Sequence, residues 1–165
     1  MNRKLKSRLK HALLYAWNFW PPFVGAGIVI TRISPDFRQV EAKLKKRPWT
    51  ANYFGTQYGG SIFSLTDPFY PVMLFMYANN RWVIWDKAAA VRYLKPGRTD
   101  LTATFILDDD TIHHVETTLA KAGKMELTKT IQIKDKEGDV VAEIDRVIYI
   151  RDKAAVKPPK KVDGN

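Results

Sequence analysis

Leu5, Leu9, Leu13 and Trp17 recur at helical spacing, with lysines and arginines between them. This spacing predicts a basic amphipathic helix over residues 1–19, ended by Pro21-Pro22. Two stretches of strand character follow, at about residues 27–34 and 38–44, joined by the turn Ser34-Pro35-Asp36. Further strands are expected at 82–94, 99–107, 127–134 and 140–150. A second helix is expected over 111–122. Asp108, Asp109 and Asp110 offer its N-cap, Ile112, Val115 and Leu119 form one apolar stripe, and Gly123 suits its end.

The segment between the second and third strands has a different pattern. Ile62, Phe63, Leu65, Phe69, Val72, Met73, Leu74 and Phe75 make it apolar on nearly every side. A helix of this kind must be enclosed. The predicted fold is therefore α+β: an antiparallel sheet of about six strands wrapped around a long central helix, with an extra helix at the N-terminus. Pro68 and Pro71 interrupt that central helix. Pro68 removes an N–H bond to the Ser64 carbonyl and Pro71 removes one to the Asp67 carbonyl, so a kink or break is predicted at Asp67.

Composition narrows the function. The chain has 165 residues, enough for one domain with a sizeable core, and no cysteine. Disulfides, thiolate-bound zinc and a thiol nucleophile are excluded, and a cytoplasmic location is expected. The net charge of +10 suggests nucleic acid until it is located along the chain. Residues 1–11 carry +5 with no acid, residues 152–165 carry +2, and the remainder only +3. Charge concentrated at the ends reads as solvated tails, so no nucleic-acid partner is expected. The basic N-terminal helix, with Trp17, Phe19 and Trp20 beside it, leaves a peripheral membrane contact open. The expected organisation is a helix over 1–19, one domain over 20–151 and a flexible basic tail over 152–165.

The chemistry lies in residues 52–67. A glycine pair, Gly59-Gly60, opens the apolar segment, and Asp67 follows seven residues after Gly60. The first N–H groups of a helix have no intrahelical partner and can hold a developing negative oxygen. A carboxylate near such donors suits hydrolysis. Competing chemistries lack their residues: there is no Gly-x-Ser-x-Gly, phosphate-binding Walker loop or dinucleotide-binding glycine motif. His113 and His114 are adjacent on a predicted helix and point different ways, so no metal or other cofactor is expected.

These residues resemble the hot-dog fold, and in particular thioesterases of the phenylacetate-pathway type. In that family an asparagine and a His-Gly-Gly precede a helical aspartate. Asn52, Tyr58-Gly59-Gly60 and Asp67 match those positions, with Tyr58 in place of the histidine. The wider pattern is closer still to an uncharacterised bacterial hot-dog family. Its marks here are Trp20-Pro21-Pro22-Phe23, Asn52-Tyr53-Phe54-Gly55-Thr56, Asp67-Pro68-Phe69-Tyr70, and Trp85-Asp86-Lys87-Ala88-Ala89 with Lys95-Pro96-Gly97.

The resemblance implies an acyl-CoA or other acyl-thioester substrate. It implies that Gly59 and Gly60 polarise the thioester carbonyl, that Asp67 acts as base or nucleophile, and that Asn52 helps place the water. Tyr58, Asp86, Arg92, Lys95 and Arg98 become candidate substrate contacts, the basic residues toward coenzyme A phosphates. The family also implies a homodimer or homotetramer. Two alternatives stand beside this reading: Asp67 as a structural carboxylate paired with Lys87, and a protein that binds an acyl ligand without catalysis.

Overall fold

The computed structural model describes Ala12 and residues 14–155. Six strands form one antiparallel sheet: β1 (Ile28–Ile33), β2 (Gln39–Leu44), β3 (Trp82–Tyr93), β4 (Leu101–Ile106), β5 (Lys124–Lys134) and β6 (Val140–Asp152). Their spatial order is β1-β2-β4-β5-β6-β3. Outside the central segment lie α1 (Pro21–Ala26) and α4 (Asp109–Ala122). The sheet curls around the two consecutive helices of that segment, α2 (Gly59–Ser64) and α3 (Phe69–Ala78). This is the hot-dog arrangement. Among the described residues, no helix is long and apolar enough to cross a membrane.

Alternation sets the sheet. In β4 Leu101, Ala103 and Phe105 are buried while the residues between them are exposed. In β6 Ala142, Ile144, Ile148 and Ile150 point the same way and are fully buried. These rows close on Leu65, Phe69, Met73 and Leu74 of the central segment. Phe105 lies 4.6 Å from the Phe69 ring and 5.5 Å from the Tyr70 ring. Outside, α4 lays Ile112, Val115 and Leu119 inward. Asp108 caps this helix by accepting from the Thr111 N–H at 2.7 Å.

The central helix is broken where the prolines predicted. Pro68 has no N–H for the Ser64 carbonyl, and the Asp67 N–H takes that carbonyl at 3.1 Å instead. The Asp67-Pro68 peptide is cis. The helical path resumes at Phe69, with the Val72 N–H on the Pro68 carbonyl.

At the N-terminus the structure differs from expectation. Leu5 and Leu9 of the expected helix lie outside the described residues, and so does Leu13. Residues 14–16 are helical, and Trp17–Phe19 form a 3-10 turn. Pro21-Pro22 then open a new helix, α1, instead of only ending one. Proline is compatible with the first turn of a helix because its missing N–H would have had no intrahelical partner there.

The two edges of the sheet are treated differently. On β1, the Ile30 N–H donates to Asn18 Oδ1 at 2.7 Å and the Ile33 N–H to the Tyr15 hydroxyl at 3.2 Å. The N-terminal segment therefore occupies that edge. At the other end β3 has β6 as its only strand neighbour among the described residues, and Ala88, Ala89 and Ala90 are exposed along it. Such an edge is open to pairing.

Phe105→Ala removes a ring from the centre of this core. It is expected to cost about 3–5 kcal/mol of stability, read from the midpoint of urea denaturation. A loss below about 1 kcal/mol would mean that the aromatic contacts do not organise the core.

Candidate active site

One charged residue stands in the buried row of β6. Arg146 occupies the inward position between Ile144 and Ile148, with its side chain only 4% exposed. A buried guanidinium is costly unless its donors are satisfied and its charge is met. Arg146 meets both conditions at the helix break. Nε donates to Thr66 Oγ1 at 3.0 Å, and Nη2 donates to the Phe63 carbonyl at 3.1 Å. Nη1 donates to Asp67 Oδ2 and to Asp86 Oδ2, each at 3.3 Å. The Phe63 ring faces the guanidinium at 4.6 Å.

The break makes this arrangement possible. It turns the Phe63 carbonyl, the Thr66 hydroxyl and the Asp67 carboxylate toward one sheet position. Asp67 keeps its carboxylate half in solvent, at 53% exposure. Asp86 arrives from β3 at a bulge: it pairs with Ile148, while Ala88 pairs with Val147, leaving Lys87 as the extra residue. Asp86 is 19% exposed, and burial pushes its carboxyl above the usual range. The Arg146 charge pulls it back down, and the neighbouring Asp67 adds to the rise. Lys87 turns away to Glu126, at 2.5 Å. The alternative pairing of Asp67 with Lys87 is thus replaced by Asp67 with Arg146, because the bulge directs the lysine outward.

The glycine pair lies at the other end of α2. The Tyr93 hydroxyl donates to the Gly59 carbonyl at 2.9 Å, and a Cβ at Gly59 would stand 3.1 Å from that hydroxyl. A side chain at Gly60 would run into the Tyr58 ring. Beside Gly59 is an open cavity of about 430 Å³, lined in part by Asn52, Thr56, Ile62, Tyr93 and Lys95. Asn52 shapes its wall: Oδ1 accepts from the Phe54 and Thr56 N–H groups at 3.0 and 3.1 Å. Asp67 is not among the residues lining this cavity.

The candidate phosphate contacts are largely engaged. Arg92 is held by Asp145 and Glu143 on β6, and Lys95 by Asp135 and Asp139. Arg98 is exposed and has no ion pair among the described residues. Those residues also contain no group of three or more side chains suited to a metal ion. Sequence reasoning missed Arg146, although a signal was present. Ala142, Ile144, Arg146, Ile148 and Ile150 share the period-two row of β6, and Arg146 is the charged position set between apolar ones.

Arg146→Met leaves Asp86 buried without its cation, so about 3–5 kcal/mol of stability should be lost at neutral pH. Asp86 binds its proton more tightly folded than unfolded, so its contribution favours the fold below about pH 3.8 and is lost as pH rises through the folded value. Removing Arg146 raises that folded value further. The gap between variant and wild type should therefore narrow on acidification, as thermal melts between about pH 4 and 8 would record. A gap independent of pH would show that Asp86 is not the group Arg146 compensates.

Comparisons with solved structures agree with this architecture. A Pseudomonas aeruginosa protein of unknown function, described as a probable thioesterase, superposes with a TM-score of 0.75 at 24% identity, covering 86% of this chain and 95% of its own. A Chlorobaculum tepidum protein of unknown function gives 0.69 at 13% identity, covering 87% and 93%. A Haemophilus influenzae thioesterase gives 0.61 at 14% identity, covering 84% and 88%. At these identities the likeness establishes the fold. No curated protein matches the chain significantly. The resemblance to an uncharacterised hot-dog family is borne out: residues 10–150 match the family called Domain of unknown function (DUF4442), and the chain belongs to it.

Proposed function

We propose that the protein hydrolyses acyl thioesters such as acyl-CoA, with Asp67 as general base. The observation that carries this reading is the helix break, which leaves the Asp67 carboxylate half-exposed while Arg146 grips one of its oxygens. In the proposed reaction Asp67 takes a proton from water, and the water oxygen attacks the thioester carbonyl carbon. The N–H groups at Gly59 and Gly60 stabilise the resulting oxyanion, an effect worth about 3 kcal/mol per donor. Collapse breaks the carbon–sulfur bond, and the leaving thiolate takes up the proton. Arg146 positions the base, and Asn52 holds the cavity wall. Arg98 is the candidate for a coenzyme A phosphate.

The site draws on two copies of the chain in this reading. Asp67 stands at the helix break, beyond the far end of α2 from Gly59, and does not line the cavity beside Gly59. Within one chain the base therefore lies away from the glycine cavity. A two-fold axis that sets two central helices antiparallel brings Asp67 of one copy toward the glycine pair of the other. The open edge at β3 supports such pairing.

A second reading has a specific motive. The Tyr58 ring lies against Gly60, where the oxyanion donors would be needed. A protein that binds an acyl thioester without turning it over fits that placement.

Hydrolysis of a panel of acyl-CoAs, followed by thiol release, separates the two. Asp67→Asn is expected to lower kcat at least about a hundred-fold. Unchanged turnover in that variant would end the role given to Asp67, and binding without turnover in the wild type would favour the second reading. Mixing Asp67→Asn with Gly59→Ala subunits should restore about a quarter of wild-type activity if each site uses both chains. No recovery after verified subunit exchange would place the site within one copy.

A further inference from the structure

Large aromatic side chains near the start of the fold stand in solvent. Phe19 is 84% exposed, Trp49 64% and Trp20 45%. They come from two separate segments that the fold brings together. The Lys45 N–H donates to the Gly27 carbonyl at 2.7 Å, and Gly27 packs so closely on Thr50 that a Cβ there would stand 2.8 Å from its methyl group. This seats the end of α1 against the Pro48–Thr50 turn. Val24, half-exposed, then shares one shallow cavity of about 130 Å³ with Arg47 and Trp49. Trp20 belongs to the same turn as Val24, since its carbonyl accepts the Val24 N–H at 3.0 Å. Val24 and Trp49 therefore share one face; Trp20 lies one helical turn before Val24 with its ring against Trp17 and Phe23, and the exposed Phe19 adjoins it in sequence.

The unpaired charge beside these residues is positive: Asp100, which accepts from the Lys46 N–H at 2.8 Å, is neutralised by the Lys45 ammonium at 2.9 Å. The guanidinium of Arg47 sits over the Trp49 ring at 5.8 Å. Neither Arg47 nor Lys46 has an ion pair among the described residues, whereas Lys45 is paired with Asp100. In the sequence, residues 1–11 hold five cations and no acid. Tryptophan prefers the boundary between hydrocarbon and water, and cations prefer an anionic leaflet. A second copy suits the surface less well, because a two-fold contact through it would set Lys46 and Arg47 against themselves.

We infer that Phe19, Trp20, Val24 and Trp49, flanked by Lys46 and Arg47, form a docking surface for anionic phospholipid. The surface extends beyond the N-terminal segment and is independent of the hydrolytic reading. Apolar rings enter the interfacial layer while the basic residues remain at the head groups. No spanning element is involved.

The test uses the full chain and vesicles of phosphatidylcholine with or without phosphatidylserine. Wild-type protein should co-sediment with the phosphatidylserine vesicles, weakly or not at all with phosphatidylcholine alone, and less as salt increases. Lys46→Ser and Arg47→Ser should each weaken binding about five-fold. Trp20→Ser with Trp49→Ser should weaken it at least about ten-fold. Brominated lipid should quench wild-type tryptophan emission more than that of the double variant. All four side chains are at least partly exposed, and a thermal melt checks that each variant folds.

Equal binding by wild type and the Trp49→Ser and Arg47→Ser variants would overturn the inference, since residues 1–11 alone would then account for attachment. Absence of binding to phosphatidylserine vesicles would also overturn it. A change in oligomeric state on Trp49→Ser, without a change in vesicle binding, would assign the surface to a second copy instead.

Discussion

A buried cation organises the centre of this molecule. Arg146 faces inward from β6, where every neighbour in its row is apolar. Its charge has to be met inside the fold, and the groups that meet it come from three places. Thr66 and the Phe63 carbonyl come from the central segment, Asp67 from the break, and Asp86 from the bulged edge strand. A straight helix would keep the Phe63 carbonyl in its own ladder and direct residue 67 elsewhere. The proline break and the buried arginine are therefore one device: the break exposes the acceptors, and the arginine holds the broken segment to the sheet.

The cluster also separates the roles of two carboxylates. Asp86 is enclosed, and its bulge gives it no other cation, since Lys87 is turned to Glu126. It serves as a counter-charge. Asp67 shares the same nitrogen of Arg146 but remains half in water, where a substrate can approach. Environment, more than residue type, distinguishes a structural aspartate from a candidate base here.

The glycine pair illustrates a different constraint. Gly59 and Gly60 are small because Tyr93 and Tyr58 crowd them. A Cβ at Gly60 would force the Tyr58 ring to shift, and one at Gly59 would stand close against the Tyr93 hydroxyl. The same absence of side chain that lets a ligand approach is thus also required by packing. Asn52 is similar, with its carbonyl oxygen used by the turn that walls the cavity. Both residues contribute through the shape of the backbone around the cavity.

The sequence alone determined the local grammar of the fold. Alternation located the six strands within a few residues, the apolar segment announced an enclosed helix, and Pro68 predicted its break. These are properties of neighbouring residues, so a linear reading reaches them. The glycine pair was legible for the same reason, whereas the turn built on the Asn52 side chain was seen only in the structure. What covers each group was decided only by tertiary structure. Arg146 meets Asp67 across 79 positions of sequence and Asp86 across 60. The bulge that sends Lys87 outward depends on the register between β3 and β6. The helix opened by Pro21-Pro22 ends at Gly27, which is in the left-handed region and packs on Thr50. Charge compensation and register belong to the assembled sheet, and no short stretch of chain contains them.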